Sequence, residues 1–463
     1  MDSVLSIKYW YILPIAYVGI FFNQYFGSEY VVYGILLFGI GLSVRSLHQG
    51  ALFFITILLL FDDFPFKPQE NLQFYSIYTV TFFGQTLTKI LSIWLFGMVI
   101  YQAIKDRKVI VGNLFSKVFI GLMILSTIVG VASLNYQYKL SFINDFRFFF
   151  NYIVGFGLAA YLLIHKSYFK IVFPLMTIIF LSKIIVLIGT SIVLLNGEEL
   201  YTLKTGTGSY LIIFIVCYLI HLFTEKKYFF YSSAGLVLAL SLLVLSASRG
   251  RMVITALAIV LYLIAIRKAK YLPLIAVFAG VAILGIAYLN PTFIDYTIWK
   301  LSSFIPQKGS AQSAYVRFVE MSNILHKNFT ELKSFLVGDG LGSYWNSKYE
   351  EYPFELMNTS SYPDDWILRD KFFKPHGIIQ FLLLKSGFIG TLMFYGSLIF
   401  LMIKNFMQYG KNQILNKESS SFVTIIGIGL IPFYLIAFSA KLQLFGGIMV
   451  GISFCYNKIR NVE

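Results

Sequence analysis

The chain has 463 residues, 58% of them hydrophobic and 13% charged, with a formal net charge of +15. Soluble globular domains carry about 25% charged residues, so this composition excludes one. The apolar runs are long and do not alternate, which excludes a transmembrane barrel and leaves an all-α, polytopic helical membrane protein.

Spans are expected near 9–25, 29–44, 50–61, 83–104, 114–134, 148–164, 171–195, 209–223, 229–247, 252–266, 272–289, 377–403, 421–438 and 442–456. That makes about fourteen, or 12–14 because 50–61 is short for a bilayer crossing. Lys8 precedes the first apolar stretch with no small-residue cleavage site, so that span is expected to remain. Cys217 and Cys455 both lie inside apolar runs, which argues against a disulfide framework. The series of spans stops for 86 residues at Asn290–Pro375 and resumes at His376. Three regions follow: transmembrane helices at 1–289, a large, partly helical external loop at 290–375, and transmembrane helices at 376–463.

Placing both termini in the cytoplasm collects 17 cations on one side, from Lys8 and Arg45 through Lys105, Arg107, Arg267 and Lys404 to Arg460. The positive-inside rule makes that side cytoplasmic in an inner (plasma) membrane and the large loop periplasmic or extracellular. The 290–375 loop, with nine Lys/Arg and ten Asp/Glu, is nearly neutral. The basic excess therefore belongs to topology and to anionic membrane lipids, and nucleic acid is not an expected partner.

A few cations escape that explanation. Lys183 falls near the middle of the 171–195 span, where an ammonium needs a partner or a watery cavity unless it snorkels to the interface. Lys204 opens the outer sequence Lys204-Thr205-Gly206-Thr207-Gly208-Ser209, which offers a small anion nest or a flexible polar loop. Arg249 and Arg251 flank Gly250 in an outer link between two apolar runs. They either snorkel to the interface or present planar guanidinium forks to a phosphate or diphosphate.

Within the loop, Ser313–His326 has the pattern of an amphipathic helix with Arg317 and Glu320 at i, i+3, the spacing of an intrahelical ion pair. A Gly-rich turn follows at Gly338-Asp339-Gly340-Leu341-Gly342; without a Walker lysine it is not a nucleotide loop. Trp345, Tyr349, Tyr362 and Trp366 offer faces to a sugar, and Asp364 and Asp365 offer acceptors, although ordinary packing of the loop over the membrane domain is the favoured explanation of them. Lys374-Pro375-His376-Gly377 places His376 at the entrance of the next span. Asn328 and Asn358 each fall in an N-glycosylation pattern.

In this order the elements resemble the O-antigen ligase and O-antigen polymerase superfamily of membrane glycosyltransferases over roughly residues 200 to 403. The resemblance rests on Lys204–Ser209, Ser248-Arg249-Gly250, Arg317, Gly338–Gly342, and His376 followed by Lys385-Ser386-Gly387. It implies a type C glycosyltransferase fold and a polyprenyl-diphosphate-linked oligosaccharide as substrate. Its essential residues would fall on Arg249, Arg317 and His376. Gly377 stands where ligases carry asparagine after the histidine, and the outer loop lacks their Asn-Pro-Asn. Both departures favour a polymerase over a ligase.

The chemistry expected is metal-independent and needs no cofactor, because the diphosphate is already a leaving group. Arg249 and Arg317, supported by Arg251 and Lys204, would hold it, and His376 (or an acid such as Asp339) would take the acceptor proton. A chain-length regulator protein is a further expected partner. A ligase moving finished glycan onto lipid A core or protein is the neighbouring alternative. A transporter or flippase of lipid-linked glycan, using Lys183, is the distant one.

Overall fold

The computed structural model describes residues 12–61, 73–107, 112–162, 215, 218–219, 229–245, 249–265, 267–289, 313–352, 362–414, 443–451 and 454. They are mostly helical. Among the described residues three helices are long and apolar enough to cross a membrane: Leu87–Lys105, Leu114–Ala132 and Ile378–Lys404. The expected spans at 171–195 and 421–438 lie outside the described residues.

Helices α1 (Ile12–Phe26), α2 (Glu29–Arg45) and α3 (Leu47–Leu60) open the chain. Ser46 alone joins α2 to α3: its extended backbone ends one helix while its hydroxyl accepts from Gln49 N to begin the next. Helix α4 (Leu87–Lys105) starts from a two-stranded hairpin, β1 (Thr81–Phe82) paired antiparallel with β2 (Gln85–Thr86). Helix α5 (Leu114–Ala132) is capped by the Asn113 side chain. Helix α6 (Lys139–Gly157) continues into a π-helical turn, Leu158–Leu162.

Helices α7 (Phe229–Leu245), α8 (Arg249–Ala265) and α9 (Leu272–Leu289) follow. Residues 443–451 are helical and pack on α6 by close backbone approach, since a Cβ on Gly155 or Gly447 would overlap Leu444 O or Tyr152 O. Several boundaries differ from expectation. The α6 helix begins nine residues before the expected 148, and Arg249 opens α8 instead of standing in a link before 252.

The region expected to be external, called the external domain here for that expectation alone, contains α10 (Ser313–Thr330), α11 (Leu332–Val337) and α12 (Asp364–Leu368) and is followed by α13 (Ile378–Ile414). Tyr315, Val316, Val319, Ile324, Trp345, Tyr352, Tyr362 and Phe372 form a second core, closed by Leu383 and Leu384 of α13. A bridge between Trp345 and Phe372 ties the two ends of this region together.

This domain is locked to the bundle through a break in α13. Gly387 takes φ 68° and ψ −171°, which interrupts the helix ladder and leaves the preceding carbonyls without helical donors. The external domain supplies them: Asn328 Nδ2 donates to Leu383 O, Asp339 N to Leu384 O, and Gly340 N to Lys385 O. Gly338, Gly340 and Gly342 all have positive φ, and a Cβ on Gly340 would overlap Gly130 of α5. Only a glycine-rich turn fits so close to two backbones. Asn328 is buried and committed here, so its glycosylation pattern has no acceptor to offer.

Beneath the turn lies an ion pair. Lys385 Nζ is 2.8 Å from Asp145 Oδ2, with side chains 0% and 8% exposed. The ammonium also donates to Ser343 O and Phe373 O, and Asp145 accepts from Gly342 N at 2.7 Å. This pairing explains how α6 carries an aspartate in its interior.

Gly340→Ala is expected to destabilise the protein by roughly 2–5 kcal/mol, combining left-handed backbone strain with overlap. Gly84→Ala is the control, because Gly84 has φ +72° but open space around it. Thermal unfolding in detergent should show a clearly larger loss for Gly340→Ala.

Candidate functional site

Helix α10 places a carboxylate on its apolar stripe. Glu320 lies four residues from both Val316 and Ile324, so it faces inward with them, and its side chain is 0% exposed. The group that receives it is His376, at the entrance of α13. Glu320 Oε1 lies 2.6 Å from His376 Nδ1, and Oε2 accepts from His376 N at 3.1 Å. An ionised carboxylate only accepts, so this contact assigns the proton to Nδ1 and leaves Nε2 as the lone-pair nitrogen, with Tyr362 Oη 3.5 Å away. The imidazole side chain is 35% exposed. A buried acid thus orients a histidine that still reaches solvent.

Two tyrosines complete the shell. Tyr362 Oη donates to Glu320 Oε1 at 3.3 Å and lies 3.0 Å from His376 Nδ1, and Tyr352 Oη is 3.1 Å from Tyr362 Oη. Burial raises both phenol pKa values well above 10.0, and the nearby Glu320 charge raises them further. Both phenols therefore remain neutral hydrogen-bonding groups, not bases.

Arg317 lies one turn before Glu320 and is exposed. The intrahelical pair expected from the i, i+3 spacing does not form, because Glu320 turns to His376. Among the described residues no carboxylate pairs with Arg317. Asp339, the alternative base, is engaged instead. Its carboxylate lies 2.7 Å from Lys327 Nζ and accepts from Ser334 Oγ, which makes it part of the turn's anchorage.

The sugar-facing candidates divide. Trp345 is 1% exposed and stacks on Phe372 at 4.6 Å between centroids, so it is core and not an open platform. Tyr362 is likewise buried, its hydroxyl spent on Glu320 and His376. Both fill the apolar core that also holds Val316, Val319, Ile324 and Phe372. Trp366 is half-buried, Asp364 and Asp365 are exposed in the first turn of α12, and Asp365 lies 3.6 Å from Arg369. Tyr349 is exposed and stacks on His326 at 4.2 Å.

Lys183 and Lys204 lie outside the described residues. For Arg249 and Arg251 the structure describes backbone alone, at the first turn of α8. That helix packs against α13, whose entrance carries His376. Among the described residues no group of three or more His, Cys, Asp or Glu could hold a metal. No family model, curated protein or solved structure matches the chain.

Sequence reasoning missed Glu320 as the partner of His376. The signal was present: a lone acid at i+4 from Val316 and i−4 from Ile324 sits on the buried stripe, where a carboxylate requires a partner. It also missed the pairing of Lys385 with Asp145, which lie 240 positions apart and share no local pattern.

Proposed function

We propose that the chain is a polyprenyl-diphosphate-dependent glycosyltransferase, a polymerase joining lipid-linked oligosaccharide repeat units into a surface polysaccharide. The observation that carries this reading is the carboxylate–histidine pair: a buried Glu320 fixing the tautomer of a solvent-reaching His376 at the mouth of a membrane-length helix. The exposed Arg317 one turn away supplies the positive charge that the leaving group requires.

In this mechanism an acceptor sugar hydroxyl approaches His376 Nε2 and gives up its proton as its oxygen attacks the anomeric carbon of the donor. The bond from that carbon to the diphosphate oxygen breaks, and the electron pair leaves with the polyprenyl diphosphate, inverting the anomeric centre. Glu320 stabilises the imidazolium formed in this step. Arg317 and Arg249, with Arg251 and Lys204, hold the departing diphosphate. Trp366, Asp364 and Asp365 form the exposed edge available to the sugars. The topology that goes with this reading has about fourteen spans in a type C arrangement, with the external domain facing the periplasm or the cell exterior.

The test is reconstitution. Purified protein in liposomes, supplied with polyprenyl-diphosphate-linked repeat units and a chelator, should produce a polymer ladder and release polyprenyl diphosphate. Recovery of unextended repeat units alone would refute the polymerase.

A further inference from the structure

Among the described residues Arg147 has no counter-charge. It is half-buried on α6, and its Nε atom is shielded from solvent without a hydrogen-bond acceptor. Among the described residues no carboxylate pairs with it. Asp145 is two residues away but about 200° round the helix, where Lys385 and Gly342 N occupy it. The neighbouring helix α4 carries another cation, Lys89, in its first turn. Lys89 itself donates to the neutral Gln85 Oε1 at 3.1 Å.

The two helices run side by side in the same direction. Phe96 of α4 meets Phe150 of α6 at 5.0 Å, and Val99 meets Gly157 further along. Lys89 stands seven residues before Phe96, and Arg147 stands three before Phe150, so both cations lie at the same end of the pair. It is the end at which Ser133 accepts from Lys333, and Tyr138 from Lys371, of the external domain.

Their surroundings are apolar and open. Leu140 and Ile143 share the Arg147 stripe, Ile90 and Ile93 flank Lys89, and all four are exposed. The β1–β2 hairpin next to Lys89 projects Phe82 and Phe83, the latter 90% exposed. Aromatic tips beside exposed aliphatic helix faces mark the depth of a membrane interface.

Two adjacent cations repel, and a shielded guanidinium N–H without an acceptor is costly, so this arrangement calls for an anion. The exposed aliphatics decide which kind. A free phosphate would leave them uncovered, whereas a lipid phosphate arrives with acyl chains that lie along them. We infer that Arg147 and Lys89 form a binding site for the phosphate of an anionic phospholipid, seated between α4 and α6 at the end of the bundle that bears the external domain. This site is independent of the glycosyl-transfer reading.

Native mass spectrometry of the full chain in detergent, titrated with phosphatidylglycerol or phosphatidylcholine, tests the inference. Phosphatidylglycerol should bind several-fold more tightly than phosphatidylcholine. Arg147→Gln and Lys89→Gln should each weaken it roughly tenfold, the effect of one charge-assisted hydrogen bond, while Arg147→Lys retains most of the binding. Millimolar inorganic phosphate should leave the lipid bound. Equal phosphatidylglycerol binding by wild type and both glutamine variants would overturn the site, and displacement by inorganic phosphate would overturn its assignment to lipid. Should Arg147→Gln fail to fold, the half-buried Lys89→Gln carries the test.

Discussion

Glu320→Gln is expected to lower kcat of chain elongation by roughly 10²-fold or more while leaving KM nearly unchanged, and His376→Ala by about 10²–10⁴-fold. The reason is geometric. Glu320 Oε1 lies 2.6 Å from Nδ1, so the carboxylate both fixes the tautomer and stabilises the imidazolium. An amide in its place can present its N–H₂ to Nδ1, which moves the ring proton to Nε2 and removes the acceptor from the solvent-facing side. Tyr362→Phe removes one donor to Glu320 and should cost only a few-fold. Initial rates with purified protein and lipid-linked repeat units check all three. Wild-type kcat in Glu320→Gln would mean that the pair only holds the external domain together.

The largest stability effect is expected at the pair beneath the glycine turn. Lys385→Met alone, or Asp145→Leu alone, should destabilise the protein by about 3–5 kcal/mol, because each leaves the other charge buried without a partner. The single loss is compounded by orphaned neighbours, Ser343 O in one case and Gly342 N in the other. The double replacement should recover much of the deficit, since it removes both charges at once. Thermal unfolding reads the free energy, and protease sensitivity around Ser343 reads whether the external domain has come loose. A double-variant loss equal to the sum of the two single losses would show that the pair contributes no coupling.

Legibility in the sequence followed the range of the forces involved. Helix α9 was readable to its last residue, Leu272–Leu289, because hydropathy alone decides a continuous apolar run between polar ends. The start of α6 was not readable, since Asn144, Asp145 and Arg147 look like loop until Lys385, 240 positions later, neutralises the aspartate. The aromatics Phe82 and Phe83 extend the apolar run before α4, yet a two-residue hairpin takes them, moving the helix start to Leu87.

The candidate site shows the same division. His376 at a helix entrance and the glycine turn were visible as local patterns, whereas the break at Gly387 was not. Its cost is met by Asn328, Asp339 and Gly340, which no local window contains. Trp345 and Tyr362 were named for their chemistry, but the need to close a small aromatic core decided where they went.

The measurement that bears most directly on the glycosyltransferase account is polymer length made by purified wild type, Arg249→Ala, Arg317→Ala and Arg317→Lys in liposomes, with unfolding temperature recorded for each. The account predicts a ladder from wild type, none from either alanine variant and a weak one from Arg317→Lys, at unchanged unfolding temperature. Full-length polymer from a folded Arg249→Ala or Arg317→Ala protein would contradict it.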